Sequence, residues 1–134
     1  MRHPFACLAT LLLSACVAPP GNLVAPAAVG KPGTEVSKLV AASEAKLCPC
    51  YIFEVKGADG ASAVDLGGSH KSDVTLLAGR YRVTLVCTSG YHTFRPQTEV
   101  VARAGRSYRI TGYLVDDSIT IFNMRMRLKV TELP

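Results

Sequence analysis

Alternation of apolar and basic side chains near the C-terminus constrains the fold of this chain more than any other feature. From position 124 to 130 every second residue is apolar and the residues between are basic: Met124, Met126, Leu128 and Val130 alternate with Arg125, Arg127 and Lys129. Side chains of a β-strand project to opposite faces in turn. The spacing therefore predicts a strand with one buried face and one charged face.

Two further segments show the same period. They are Tyr51, Phe53 and Val55 against Ile52, Glu54 and Lys56, and Tyr81, Val83, Leu85 and Cys87 against Arg80, Arg82, Thr84 and Val86. Turn signals follow at intervals: Asp59-Gly60, Gly67-Gly68, Ala78-Gly79, Ser89-Gly90, Ala104-Gly105 and Asp116-Asp117. About seven short strands with turns every eight to twelve residues predict an all-β fold, an antiparallel β-sandwich.

Two of these turns have related sequences. Ala78-Gly79-Arg80-Tyr81 and Ala104-Gly105-Arg106-Ser107-Tyr108 each place a glycine before a basic residue and a tyrosine. Because a repeat architecture needs at least three units, we interpret the pair as one hairpin turn used twice.

The N-terminus has the composition of a secretory signal. Arg2 precedes an apolar run over residues 5–13, and small residues follow. The run is shorter than the roughly 18 residues of a membrane span, so we expect residues 1–15 to be cleaved.

The tetrapeptide Leu13-Ser14-Ala15-Cys16 resembles the lipobox of bacterial lipoproteins. The resemblance implies diacylglycerol on the Cys16 sulfur, cleavage after Ala15 and an acylated new N-terminus. Val17 stands where an aspartate would resemble an inner-membrane retention signal, which favours the outer membrane, facing the periplasm. Cleavage would remove Arg2, one of fifteen basic residues, and lower the formal charge from +5 to +4.

Composition divides the mature chain at about residue 48. Residues 17–33 are rich in proline, alanine and glycine and predict an extended tether. Residues 34–47 have apolar positions at helical spacing after Thr34 or Ser37, and predict a short helix or a loosely packed lead-in. We therefore assign 1–15 to the signal, 16–47 to the lipidated N-terminus, tether and lead-in, and 48–134 to the β-sandwich.

Three cysteines remain after processing, and an oxidising compartment favours a disulfide between two of them. Cys48 and Cys50 are separated only by Pro49, so a bond between them would be strained. We expect Cys87 to pair with one of the two, and favour Cys50 because it is nearer the strand. The closed loop of about 38 residues corresponds to roughly 4 kcal/mol. The third cysteine is a buried thiol, an intermolecular partner, or a metal or redox ligand.

Signals for chemistry are sparse. The three thiols with His70 or His92 could bind copper or zinc, but a structural site usually has a second ligand pair. Ser69-His70 lies in a glycine-bounded turn, Asp116-Asp117 fits a turn, and no nucleophile, phosphate-loop or dinucleotide motif occurs. We predict no enzyme activity, no cofactor and no metal.

Positive charge is concentrated in the C-terminal half, where residues 80–129 hold nine basic and three acidic side chains. Arg80 and Arg82 share one strand face, and Arg125, Arg127 and Lys129 share another. The pattern predicts a basic sheet surface that contacts anionic lipid head groups, lipopolysaccharide or peptidoglycan acids. The alternative is an ordinary solvated face whose cations guard strand edges. Sparse aromatics and the compartment argue against nucleic acid.

The segments VTLLAGRYRVTLVC (74–87) and VVARAGRSYRI (100–110) resemble small bacterial lipoproteins with transthyretin-like or PEGA-like β-sandwich domains. The resemblance covers roughly residues 50–115 and implies fold and location more than activity. We predict a membrane-anchored, non-enzymatic envelope interaction module. The alternatives are an accessory lipoprotein of a secretion or envelope assembly machine, and a periplasmic ligand or metal binder or inhibitor. The partner could be an envelope protein or an anionic envelope polymer, and the oligomeric state stays open.

Overall fold

The chain folds into two β-sheets that pack face to face. The structure, a computed structural model, describes residues 22–44, 50–67, 70–89, 92–115 and 125–134. In these residues it has a short 3₁₀ turn, Pro26–Ala28, and nine strands. The strands are β1 Leu23–Val24, β2 Val36–Ser43, β3 Tyr51–Gly57, β4 Asp73–Leu77, β5 Gly79–Ser89, β6 His92–Phe94, β7 Gln97–Ala102, β8 Ser107–Val115 and β9 Arg125–Leu133. The predicted all-β sandwich is confirmed, with two strands more than the expected seven.

The first sheet has five strands in the order β1-β4-β2-β8-β9. In the second sheet β5 is central, with β3 on one edge and β7 on the other, while β6 pairs with the C-terminal end of β5. Most pairs are antiparallel as predicted, but β1–β4 and β2–β8 are parallel. Parallel neighbours need a long crossover connection, and here the second sheet lies in the chain between β2 and β8.

The predicted helix within residues 34–47 is wrong, because Val36–Ser43 form strand β2. β2 lies between β4 and β8, and its Leu39 side chain is fully buried in the core. The buried Ser37 hydroxyl donates a hydrogen bond to the carbonyl oxygen of Arg106 at 2.9 Å. Pairing with strands on both sides outweighs the weak local preference that the spacing suggested.

The structure also differs from the predicted tether over residues 22–28. Leu23 and Val24 pair with β4, and the Ala25 N–H donates to the Thr75 carbonyl at 2.9 Å. Ala25 and Ala28 are buried in the core. Small side chains allow this close approach, so the folded unit begins well before residue 48.

One apolar cluster fills the space between the sheets. Its largest fully buried side chains come from both sheets: Leu39, Val74, Leu76 and Ile110 from the first, and Ile52, Val55, Val83, Leu85 and Val100 from the second. The predicted alternation in β9 is confirmed for residues 125–130, whose basic positions are exposed and whose apolar positions are half-buried. Met124 lies outside the described residues.

Alternation in β3 departs from the prediction. The β3–β5 register shifts between Ile52 and Glu54, so Ile52 and Val55 are both fully buried while Phe53 is exposed. A bulge of this kind adds one residue to a strand and reverses the phase of the side chains that follow.

Two turns that we expected to be hairpins connect the two sheets instead. The Ala78-Gly79 turn carries the chain from β4 in the first sheet to β5 in the second. The Ala104-Gly105 turn carries it from β7 back to β8, and Gly105 has a φ of 73° that favours glycine.

A tyrosine fastens each of these corners to the backbone before it. The Tyr81 hydroxyl donates to the Leu77 carbonyl at 2.7 Å, and burial raises the pKa of Tyr81. The Tyr108 hydroxyl accepts a hydrogen bond from the Arg103 N–H at 3.0 Å. The two related sequences therefore encode two corners between sheets, similar to the tyrosine corner of other sandwiches.

Candidate functional site

The predicted pairing of Cys87 with Cys50 is confirmed. Cys50 directly precedes β3 and Cys87 lies in β5, and the two form a buried disulfide whose Cα atoms are 4.3 Å apart. Both sulfurs face Gly112 of β8: a Cβ built on this glycine would lie 2.7 Å from the Cys50 Sγ and 3.0 Å from the Cys87 Sγ. The disulfide thus lies between the two sheets. Cys48 and Cys16 lie outside the described residues.

The disulfide removes two of the thiols that we considered as metal ligands. His70 packs instead against aromatic rings, with its centroid 6.4 Å from Tyr51 and 5.7 Å from Phe53. Within the described residues, no group of three or more His, Cys, Asp and Glu side chains could hold a metal ion. Ser69, Asp116 and Asp117 lie outside those residues.

Four cations share the outer face of β8 and β9, and we call them the basic face. They are Arg109, Arg125, Arg127 and Lys129, all exposed. The β8 residues opposite the three β9 cations are Val115, Tyr113 and Thr111, and none is acidic. Arg109 is opposite Thr131, which makes it a diagonal neighbour of Lys129.

Carboxylates do not neutralise the basic face within the described chain. None of its four cations forms a salt bridge with a described acidic residue. Asp73, on the same face of the sheet, pairs with Lys38 at 2.9 Å. The basic face is therefore a continuous positive band along one edge of the five-stranded sheet.

Arg80 and Arg82 do not belong to this band. They lie on β5 in the other sheet, so the structure separates the two groups that we expected to form one surface. Arg82 pairs with Glu99 at 3.8 Å. An open groove of about 480 Å³ beside them is also lined by Asp59 and Glu99, which gives it mixed charge.

An ion-pair cluster that sequence reasoning missed anchors the end of β9. Glu132 pairs with Arg103 and, at 3.5 Å, with Arg106, both in the corner between β7 and β8. Hydrogen bonds to Tyr108 and Glu132 raise the pKa of Arg103. The sequence alone does not indicate which cation pairs with Glu132, because Arg106 lies 26 residues away in the chain. The cluster distinguishes these two arginines, which are paired, from those of the basic face.

Comparison with known proteins gives no family assignment: no protein-family model, curated protein or solved structure matches the chain. In the part of the chain that the structure describes, no helix has the length and hydropathy that crossing a membrane requires.

Proposed function

We propose that this chain is a lipid-anchored, non-enzymatic interaction module of the bacterial cell envelope that binds an anionic envelope component through its basic face. The observation behind this proposal is the arrangement of Arg109, Arg125, Arg127 and Lys129 on one sheet face, without a described carboxylate partner. Unneutralised cations on adjacent strands repel one another, and an anionic partner relieves that repulsion. The lipobox-like Leu13-Ser14-Ala15-Cys16 supplies the proposed anchor.

Anchoring predicts the behaviour of a Cys16→Ser variant. A serine hydroxyl does not take the place of the thiol in thioether formation, so the variant should lack the acyl chains. Stable membrane attachment needs two lipid chains, or one chain together with a basic patch. Without its acyl chains, the variant should therefore be unprocessed or released from membranes. Fractionation with detergent extraction measures this, with Cys48→Ser as the matched control. Unchanged membrane retention and an unchanged mass for Cys16→Ser would refute the anchor.

Charge reversal tests the basic face. We expect the triple variant Arg125→Glu/Arg127→Glu/Lys129→Glu to bind isolated envelopes at least about tenfold more weakly than the parent, because each cation near an anionic surface contributes about 1 kcal/mol. The parent's binding should also fall as salt increases. Co-sedimentation of the lipid-free Cys16→Ser chain measures both effects.

A second triple reversal provides the control for net charge. Lys56→Glu/Arg80→Glu/Arg82→Glu makes the same change in charge on the other sheet, where Lys56 and Arg82 already pair with Glu54 and Glu99. This variant should retain most of the binding. Equal loss in both triple variants would show that total charge, and not the basic face, determines binding.

A further inference from the structure

Among the described strands, β9 provides a long edge that pairs with no other strand. It pairs with β8 over all nine residues without a register shift, and no other described strand pairs with its second edge. The remaining edges are protected. β1 has two residues, β3 is bulged and takes bridges from Ser62 and Lys71, and Pro96 interrupts the edge formed by β6 and β7. Short, bulged and proline-containing edges discourage pairing with another chain, and β9 has none of these features. Its protection comes from Arg125, Arg127 and Lys129, which repel a basic strand but attract an acidic one.

Register shows which backbone groups of β9 face the open edge. The Lys38 N–H donates to the Arg106 carbonyl and the Glu44 N–H to the Gly112 carbonyl, so the even residues of β8 bond to β2. The odd residues of β8 must then bond to the odd residues of β9, which lie opposite them. The N–H and C=O groups of Met126, Leu128 and Val130 consequently point to the open edge.

The side chains along this edge form two sets, one apolar and one basic, and each set needs a different kind of partner. Met126, Leu128 and Val130 point inward but are only half-buried, and a groove of about 410 Å³ separates the start of β9 from Phe94 and Pro96. Arg125, Arg127 and Lys129 point outward. A strand added here would place apolar side chains beside the first set and acidic side chains opposite the second.

A second copy of this chain does not satisfy those requirements. If two β9 strands paired antiparallel about Leu128, Arg127 of each copy would face Lys129 of the other. Pairing about Met126 would place Arg125 opposite Arg127. Like charges directly opposite one another destabilise a sheet. Pairing about Val130 avoids them but places Lys129 opposite Thr131 and Arg127 opposite Leu133, so it sets no acidic side chain opposite a cation. The edge is therefore better suited to a different sequence.

We propose that the β9 edge binds an extended segment of another envelope protein in which acidic and apolar residues alternate, and that this segment joins the five-stranded sheet as a sixth strand. Backbone hydrogen bonds would supply affinity and the alternating side chains would supply specificity. This proposal rests on the proposed function, since it names the partner class of the basic face.

Strand addition can be tested with a nine-residue, end-capped peptide in which glutamate alternates with valine. We expect the lipid-free Cys16→Ser chain to bind this peptide. The same peptide with N-methylated amides, and a version with lysine for glutamate, should each bind at least tenfold more weakly. Amide hydrogen exchange should slow at Met126, Leu128 and Val130, whose N–H groups face the open edge, more than at Arg127 and Lys129, which already bond to β8.

Phosphatidylglycerol vesicles and peptidoglycan sacculi are tested in the same way, as the alternative anionic partners of the basic face. If either binds through the basic face while the glutamate–valine peptide does not, the strand proposal is wrong and the proposed function stands. Peptide binding that survives N-methylation, or that leaves exchange at Leu128 and Val130 unchanged, would also overturn strand addition, because contact would then be through charge alone. If the triple reversal on β9 affects no arm and the parent does not bind envelopes, both proposals fail.

Discussion

Replacing Gly112 with alanine is expected to lower the melting temperature of this protein by about 10 °C. The added Cβ would lie 2.7 Å from the Cys50 Sγ, 3.0 Å from the Cys87 Sγ and 3.4 Å from the Met126 Sδ. Two of these three sulfurs are held in a disulfide and cannot turn aside as the end of a flexible side chain could. Overpacking of a core costs about 1–3 kcal/mol, and each kcal/mol shifts the melting temperature of a domain of this size by about 4–8 °C.

Gly33→Ala is the matched control, because a Cβ at Gly33 would meet no atom within 4 Å. It should change the melting temperature by no more than a few degrees. A second test places Gly112→Ala in a Cys50→Ala/Cys87→Ala background, where the crowding sulfurs are gone. The cost of Gly112→Ala should then shrink, which a double-mutant cycle measures as coupling. An unchanged cost in that background would contradict the crowding mechanism.

Loss of the disulfide should have a comparable or larger effect. Cys50 and Cys87 are 37 residues apart, and closing a loop of that length restricts the unfolded chain by about 4 kcal/mol in the chain-entropy model. We expect Cys87→Ala to lower the melting temperature by 15 °C or more under oxidising conditions. In reductant, the melting temperatures of the parent and of Cys87→Ala should differ much less, because the parent's disulfide is then reduced.

Cys48→Ser provides the control that identifies the bonded partner. The oxidised Cys16→Ser mature chain should contain one titratable thiol, which Cys48→Ser should abolish without a large change in stability. Proteolysis and mass measurement should recover a linked pair of peptides containing Cys50 and Cys87. A Cys87→Ala effect of the same size in reductant, or a linked pair containing Cys48, would contradict the pairing.

The parts of the fold that could be predicted are those in which the alternation of side chains along a single strand fixes which positions are buried. Arg125 to Val130 alternate without interruption, so the burial of each position follows from the pleat alone. Phe53 shows the limit, because a bulge reverses the phase of β3 and leaves no mark in the sequence. β2 shows another limit: Val36, Leu39 and Val40 fit a helical spacing, and only neighbouring strands on both sides select the extended form.

The candidate site could be predicted in part for the same reason. Alternation assigns Arg125, Arg127 and Lys129 to one face of a strand, but it does not say which sheet that strand joins. Arg80 and Arg82 have the same local pattern and lie on the other sheet. Arg109 was missed because its place beside Lys129 depends on the register of β8 against β9.

Because Leu23 and Val24 pair with β4, an acylated Cys16 could lie only a limited distance from the sandwich. Only six Cα–Cα steps separate Cys16 from Asn22, which span at most about 20 Å when fully extended. A tether that ran to residue 33 would have allowed a reach of about 60 Å when fully extended. With the short connection, the domain would sample a thin shell above the lipid surface, and any partner that it meets must itself extend into that shell.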